Sequence, residues 1–294
     1  MIAALYRTPP LLLTLTAFMW GMNAITGQLA VGEITPYALV LMRWVFVAAV
    51  MWPLFGKSVI EHWPAIRTRL GAVIFMSIAG FTAFNSLFYV ASIYTSGVNI
   101  GILQGAMPVM VLIGAMIFFK EKVSALQALG VVVTLTGVVV VASKGDIDVI
   151  LSLALNHGDL LMLIAALFYS AYTVAIRIRP DVPGEALFTL FAVIAAVAAI
   201  PMAVWETTTA DHFWPTATGW GLTVIVAIFP SCLAQLFFLR GVDLIGPARA
   251  GVYINLVPIF AAILAVIVLG EVFAAYHGLA LALVLGGIWL AQRK

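Results

Sequence analysis

Charge is what this chain has least of. Charged residues make up 9% of its 294 positions and hydrophobic residues 64%, whereas soluble domains carry about 25% charged residues. A water-soluble core of this length cannot hide so much apolar surface, so lipid must be the solvent for most of it. The net charge of +2 contains no basic patch of the kind nucleic acid needs, and a nucleic-acid partner is excluded. The single cysteine, Cys232, excludes an internal disulfide and a thiolate metal cluster. The histidines, His62, His157, His212 and His277, sit in loops or near the ends of apolar segments, with no His-x-x-x-His spacing. Zinc chemistry, a Ser–His pair and paired intramembrane acids are therefore all missing, so the chain does not read as an enzyme. An intramembrane enzyme stays only as a remote alternative. No cofactor and no metal is implied.

What is present is a series of apolar runs. A spanning helix needs about 20 mostly apolar residues, and ten segments qualify: 10–31, 35–56, 70–92, 96–119, 122–143, 158–177, 184–205, 217–240, 246–270 and 272–291. The first is too long for a signal peptide and carries Trp20, Asn23 and Gln28, so it reads as a retained helix. With the N-terminus cytoplasmic, that side collects Arg7, Lys57, Arg67, Arg69, Lys120, Lys122, Arg177, Arg179, Arg240, Arg249, Arg293 and Lys294, and the other side only Lys144. This asymmetry predicts both termini in the cytoplasm and supports an even number of spans, here ten. An inner-membrane, multi-pass protein is expected.

Residues 101–144 and 251–294 repeat one pattern at an offset of 150. Gly101 matches Gly251, Pro108 matches Pro258, Glu121 matches Glu271 and Gly137 matches Gly287. Five spans per half make the second half enter the membrane from the opposite side, so residues 1–145 and 157–294 read as two inverted repeats. Inverted repeats give alternating access a simple basis, with the binding site between them.

These landmarks, together with Ala17-Phe18-Met19-Trp20-Gly21, Asn23 and the Arg43-Trp44 pair, resemble the EamA-type branch of the drug/metabolite transporter superfamily. The resemblance covers the whole chain. It implies ten helices in two five-helix repeats and export or exchange of amino acids and other small metabolites. The halves differ at two places: Trp20 becomes Tyr169, and Arg43 becomes roughly Phe191.

Polar groups in hydrocarbon are expensive and usually face a bundle interior or a wet cavity. Arg43 lies inside a span. It reads either as a carboxylate contact in a cavity or as a structural group, capping backbone carbonyls or snorkelling to the surface. Thr16, Trp20, Asn23 and Gly27 share one face of the first span. Phe81, Asn85 and Phe88 form a stripe in the third, and Ser231, Gln235 and Phe238 form one in its mate, the eighth. Asn85 and Gln235 keep the offset of 150. They line a shared site or act as symmetric packing glue. Gln104 and Asn255 each precede a proline, and Tyr169 and Tyr172 are further cavity candidates. Pro108 and Pro258 are expected to kink the fourth and ninth spans in mid-helix. Gly97, Gly101 and Gly105 read as packing positions, and Gly251 as the structural mate of Gly101. Glu121 and Glu271 are assigned to structure, each beginning the turn toward the following helix and suiting its N-terminal dipole. Asp159 reads as a helix cap. The fifth and tenth spans, the most uniformly apolar, are expected to face lipid or a partner subunit rather than the cavity.

No Asp or Glu falls in the middle third of any span, which points to facilitated diffusion or exchange driven by the substrate gradient. The leading expectation is a carrier exporting or exchanging an amino acid or related zwitterion, as monomer or homodimer. The alternative is an importer of a vitamin-like or other planar metabolite, which the aromatic residues would suit.

Overall fold

A computed structural model describes residues 7–120, 122–146, 156–209, 213–245, 250–251 and 253–293. Glu121, His212, Pro247, Arg249 and Lys294 lie outside them. The described residues form helices and no strand. In chain order these are α1 (Pro9–Leu29), α2 (Pro36–Glu61), α3 (Trp63–Tyr94), α4 (Gly97–Phe119), α5 (Ala125–Ala142), α6 (His157–Ile178), α7 (Gly184–Glu206), α8 (Ala217–Ile245), α9 (Tyr253–Leu269) and α10 (Ala275–Ala291). Seven of them, α2 to α8, are long and apolar enough to cross a membrane, and α9 and α10 are shorter apolar helices.

Local chemistry sets the ends. Proline stands in the first turn of α1 and α2, where its missing N–H costs nothing. Ser96, Ser124, Asn156 and Thr216 accept backbone N–H bonds as N-caps of α4, α5, α6 and α8. The cap of α6 is thus Asn156 and not Asp159 as expected. Phe119 and Leu269 are each followed by a residue in the left-handed conformation, Lys120 (φ 54°) and Gly270 (φ 68°), which stops the helix.

The two halves repeat in structure at the same offset. Met107–Phe119 and Val257–Leu269 are equivalent helical pieces. A π-helical turn interrupts α3 at Ile78–Ala83 and α8 at Ala227–Leu233. Helix partners obey the repeat as well: α2 packs on α7, α4 on α9 and α5 on α10, while α1 on α8 is matched by α6 on α3. Each of these pairings maps onto itself or another when the halves are exchanged.

Two expectations are corrected. Pro108 and Pro258 do not sit in mid-helix. In α4 the first piece ends at Gln104, Gly105 and Ala106 close two tight turns, and Pro108 is in the first turn of a new piece. In α9, Pro258 likewise opens the piece Val257–Leu269 after a 3₁₀ segment, Tyr253–Leu256. Proline here starts a helix, and the break comes just before it. The second correction concerns α10 alone, which packs on α5 through glycine. A Cβ on Gly130 would stand 2.4 Å from Ala291 N, and one on Gly287 2.5 Å from Thr134 N. Such backbone approach is available only to glycine. Their outer faces expose Val132, Val139, Leu279 and Trp289, but the end of α10 also reaches the cavity described next.

Candidate functional site

The π turns decide where polar groups point. An i→i+5 turn releases carbonyls that hydrocarbon cannot satisfy. Trp44 Nε1 donates to Phe81 O at 3.1 Å, and Trp20 Nε1 donates to Pro230 O at 3.0 Å. Asn85 Nδ2 also donates to Phe81 O at 2.6 Å, and Ser231 Oγ donates to Val226 O at 2.6 Å. These bonds hold Trp20, Trp44, Asn85 and Ser231 around one space.

That space is a cavity of about 490 Å³ between the halves, within the size range of small-molecule sites. Arg43, 5% exposed, is in its wall. Arg43 Nε donates to Ser231 Oγ at 2.8 Å; Nη1 donates to Asn85 Oδ1 at 2.6 Å, to Tyr89 OH at 2.7 Å and to Asn23 Oδ1 at 3.4 Å. Tyr89 OH donates to Asn23 Oδ1 at 2.9 Å. Residues of α1, α2, α3 and α8 therefore converge on one guanidinium. It neither caps backbone carbonyls nor reaches the surface, as the structural alternative would require. Among the described residues Nη2 has no hydrogen-bond partner, and the one ion pair is Lys57–Glu61. Arg43 thus has no carboxylate within 4.0 Å.

Of the residues singled out in the sequence, Trp20, Asn23, Arg43, Phe81, Asn85, Gln104, Tyr169, Tyr172, Gln235 and Asn255 all line this cavity, with Pro108 and Pro258. Phe81 is the hub of the aromatic wall, its ring 5.1 Å from Trp44 and from Tyr172. Phe238 lines the cavity too and stacks 5.4 Å from Trp20. Phe88 does not line it: it is fully buried between helices. The amides fall into two groups. Asn23 and Asn85 are bound to Arg43, and Gln104 donates only weakly, at 3.5 Å, to Ile100 O. Asn255 Oδ1 is buried without a partner. Ile288, Ala291 and Gln292 of α10 complete one end of the lining, so this helix is not turned wholly away from the cavity as expected.

Both glycines assigned to structure need comment. Gly101 fits that role, since a Cβ there would lie 2.5 Å from Ala261 Cβ. Gly251 has nothing within 4 Å of a Cβ and lines the cavity instead. Glu271 is structural but caps a different helix from the one expected. Its Oε1 accepts from Gly97 N at 2.7 Å and its Oε2 from Val98 N at 2.9 Å, closing the N-terminus of α4 in the other half.

The family model for the EamA-like transporter family matches residues 8–143 and again 156–292. The chain belongs to the EamA-like transporter family. Similar proteins include the uncharacterized transporter YyaM of Bacillus subtilis (strain 168), 27% identical over 95% of this chain and 94% of that one. An uncharacterized transporter of Archaeoglobus fulgidus is 24% identical over 97% of both chains. A solved structure titled "Crystal structure of protein" shares the fold, with TM-score 0.66, 19% identity and 96% of each chain covered.

Three features of this EamA-like transporter escaped the sequence. Tyr89 completes the Arg43 network; it lies one turn beyond Asn85 on the same helical face, which was the available signal. Asp159, fully buried, accepts from Thr95 Oγ1 at 2.5 Å and from Asn99 Nδ2 at 3.2 Å. Asn99 also meets His277 Nε2 at 3.2 Å, so α4, α6 and α10 are tied together at one face. Last, a second cavity of about 460 Å³ lies at that face, lined by Gly27, Thr35, Tyr37, Tyr89, Trp205 and Glu206. Tyr89 belongs to its wall while its hydroxyl holds Arg43 and Asn23 of the first cavity.

Proposed function

We propose that this membrane transporter carries a small carboxylate-bearing metabolite by alternating access, with ten spans in two inverted repeats (1–145 and 157–294), both termini cytoplasmic in the inner membrane. The carboxylate sits on Arg43. The observation that carries this reading is a buried guanidinium, held by four neutral side chains, in the wall of a 490 Å³ cavity between the halves. A buried charge without a counter-charge is costly, and a bound carboxylate would remove that cost with the bidentate geometry arginine favours. Amino acids and related compounds fall in this class, and the aromatic wall suits planar bodies, including a vitamin-like one. Export or exchange is the reading for direction.

The cavity lining reaches Arg177, Ala291 and Gln292, at the helix ends that the charge asymmetry assigns to the cytoplasm. This state faces inward. Among the described residues of the lining there is no Asp or Glu, which supports facilitated diffusion or exchange rather than proton coupling.

The test is counterflow in proteoliposomes. Vesicles are preloaded with unlabelled amino acids, organic acids, vitamins or nucleosides, and entry of trace label is followed without an ion gradient. Exchange that Arg43→Gln lowers by about tenfold or more, the loss of one charge-assisted contact, is the expected result. Accumulation driven by an imposed pH gradient alone would overturn the exchange reading.

A further inference from the structure

We infer that the solute this cavity accepts is a net anion: an organic monocarboxylate with a flat, largely apolar body and a neutral hydrogen-bond donor, and not a zwitterion. The inference rests on the carrier reading and narrows its carboxylate-bearing class, removing the zwitterionic amino acids from it.

Among the described residues, the charged side chains lining the central cavity are Arg43 and Arg177. No aspartate, glutamate, lysine or histidine is among the described residues of the lining. Arg43 is spent on neutral oxygens only, those of Ser231, Asn85, Tyr89 and Asn23. A monoanion neutralises this centre. A zwitterion neutralises it with one end and brings an ammonium with the other, and that ammonium leaves water for a space with no counter-ion and a guanidinium nearby. Arg177 stands where α6 reaches the end of the cavity, its guanidinium 5.0 Å from the Phe119 ring.

The rest of the wall describes the body of the solute. Trp20, Phe81 and Phe238 offer flat apolar faces. Asn255 Oδ1, buried and unpartnered, is an acceptor in want of a donor, and a buried group in that state gains most from one. A hydroxyl or ring N–H supplies it without adding charge.

Transport of such a solute moves one negative charge per cycle. The empty site carries the charge of Arg43 back and the filled site is neutral, so net flux follows the membrane potential even without a proton. An inside-negative potential drives the anion outward.

The experiment compares two solutes of nearly the same shape, 3-phenyllactate (an anion with a hydroxyl) and phenylalanine (a zwitterion). Phenylalaninamide (a cation) and 3-phenylpropionamide (neutral) complete the panel. Binding to the purified full chain is followed by quenching of tryptophan fluorescence, exchange by counterflow in proteoliposomes, and net uptake, the flux tested against potential, in proteoliposomes preloaded with none of the four. The expected result is at least tenfold tighter binding of phenyllactate than of phenylalanine, with phenyllactate uptake accelerated by an inside-positive potassium diffusion potential. Arg43→Lys keeps the preference for the anion at lower affinity, whereas Arg43→Gln abolishes it. The lysine variant guards against a glutamine variant that does not fold. Phenylalanine bound or exchanged as well as phenyllactate overturns the inference and leaves the carrier standing. Phenyllactate flux indifferent to potential overturns the charge balance and, with it, the inference. No binding and no counterflow of any of the four overturns the inference and the carrier reading together.

Discussion

The two faces of the bundle are built differently. At the face where α1 ends and α6 begins, bonds run from helix to helix. Glu206 at the end of α7 accepts from Thr35 Oγ1 at 2.6 Å, Ala38 N at 2.9 Å and Tyr37 N at 3.1 Å, closing the N-terminus of α2. Glu271 does the same for α4. Asn156 Nδ2 donates to Tyr94 O at 2.9 Å, Thr216 N donates to Glu33 O at 2.9 Å, and Asp159 holds Thr95 and Asn99. At the face where α1 begins and α10 ends, the polar bonds include Ser124 with Gln127, Ser58 with His62 and Lys57 with Glu61, each local to one helix. Arg177 over Phe119 crosses between helices there. The described lining of the central cavity reaches this second face and includes none of the bonded residues named at the first.

The carboxylates explain the difference in energy. Each of the two joins a helix end to its own repeat mate, α7 to α2 and α9 to α4. A hydrogen bond to a charged group contributes about 1.5–3 kcal/mol, and a carboxylate at a helix N-terminus adds roughly 0.3–1 kcal/mol through the dipole. If the halves exchange conformations, these bonds must break when the first face opens. They therefore weight the equilibrium toward the state observed.

The largest break in this comparison should come from Glu206→Ala, which removes three bonds at once. Its readout is labelling of Val90→Cys, at the second cavity, by a membrane-impermeant maleimide in a Cys232→Ala background. We expect labelling at least about tenfold faster than with Glu206 present, the shift that roughly 1.4 kcal/mol gives. Unchanged labelling with normal folding would mean that Glu206 holds α2 without closing the face.

Glu271→Gln is a smaller change. It keeps one acceptor oxygen and turns an amide N–H toward Gly97 N or Val98 N. One charge-assisted bond is lost, about 1.5–3 kcal/mol, and the N-terminus of α4 should loosen by that amount. Hydrogen exchange at Gly97 to Gly101 would report it. Protection equal to the parent would remove Glu271 from the closure.

Much of this was readable beforehand, and the rest was hidden for definite reasons. The offset of 150 between Phe119 and Leu269, or Pro108 and Pro258, is a property of the chain and survives folding. The places of Arg43, Asn85 and Gln235 around one cavity follow from the cost of polar groups in lipid, which permits few other positions. The partner of Glu271 was hidden because sequence shows where a helix ends but not which other N-terminus lies beside it. The same holds for Asp159, whose carboxylate goes to Thr95 and Asn99 of another half instead of its own backbone. The proline breaks were misplaced because a proline within an apolar run reads alike whether the helix bends through it or restarts at it. The π turns left no recognisable trace, although they release the carbonyls that fix Trp20 and Trp44.

The finest test uses a pair of repeat mates. Asn85 is locked, accepting from Arg43 and donating to Phe81 O, whereas Gln235 lines the same cavity with no bond to hold it. Replacing a bonded, buried amide leaves its partners unsatisfied, so Asn85→Ala should cost about 1–3 kcal/mol of stability. Gln235→Ala leaves none, and its stability should stay within about 0.5 kcal/mol of the parent. Solute affinity is where Gln235→Ala should show, falling by roughly three- to tenfold for a lost neutral hydrogen bond of about 0.5–1.5 kcal/mol. Thermal unfolding and solute binding on the two variants separate these effects. If both variants lose stability equally, the mates are packing glue in both halves, and the division between a fixed anchor and an adaptable wall disappears.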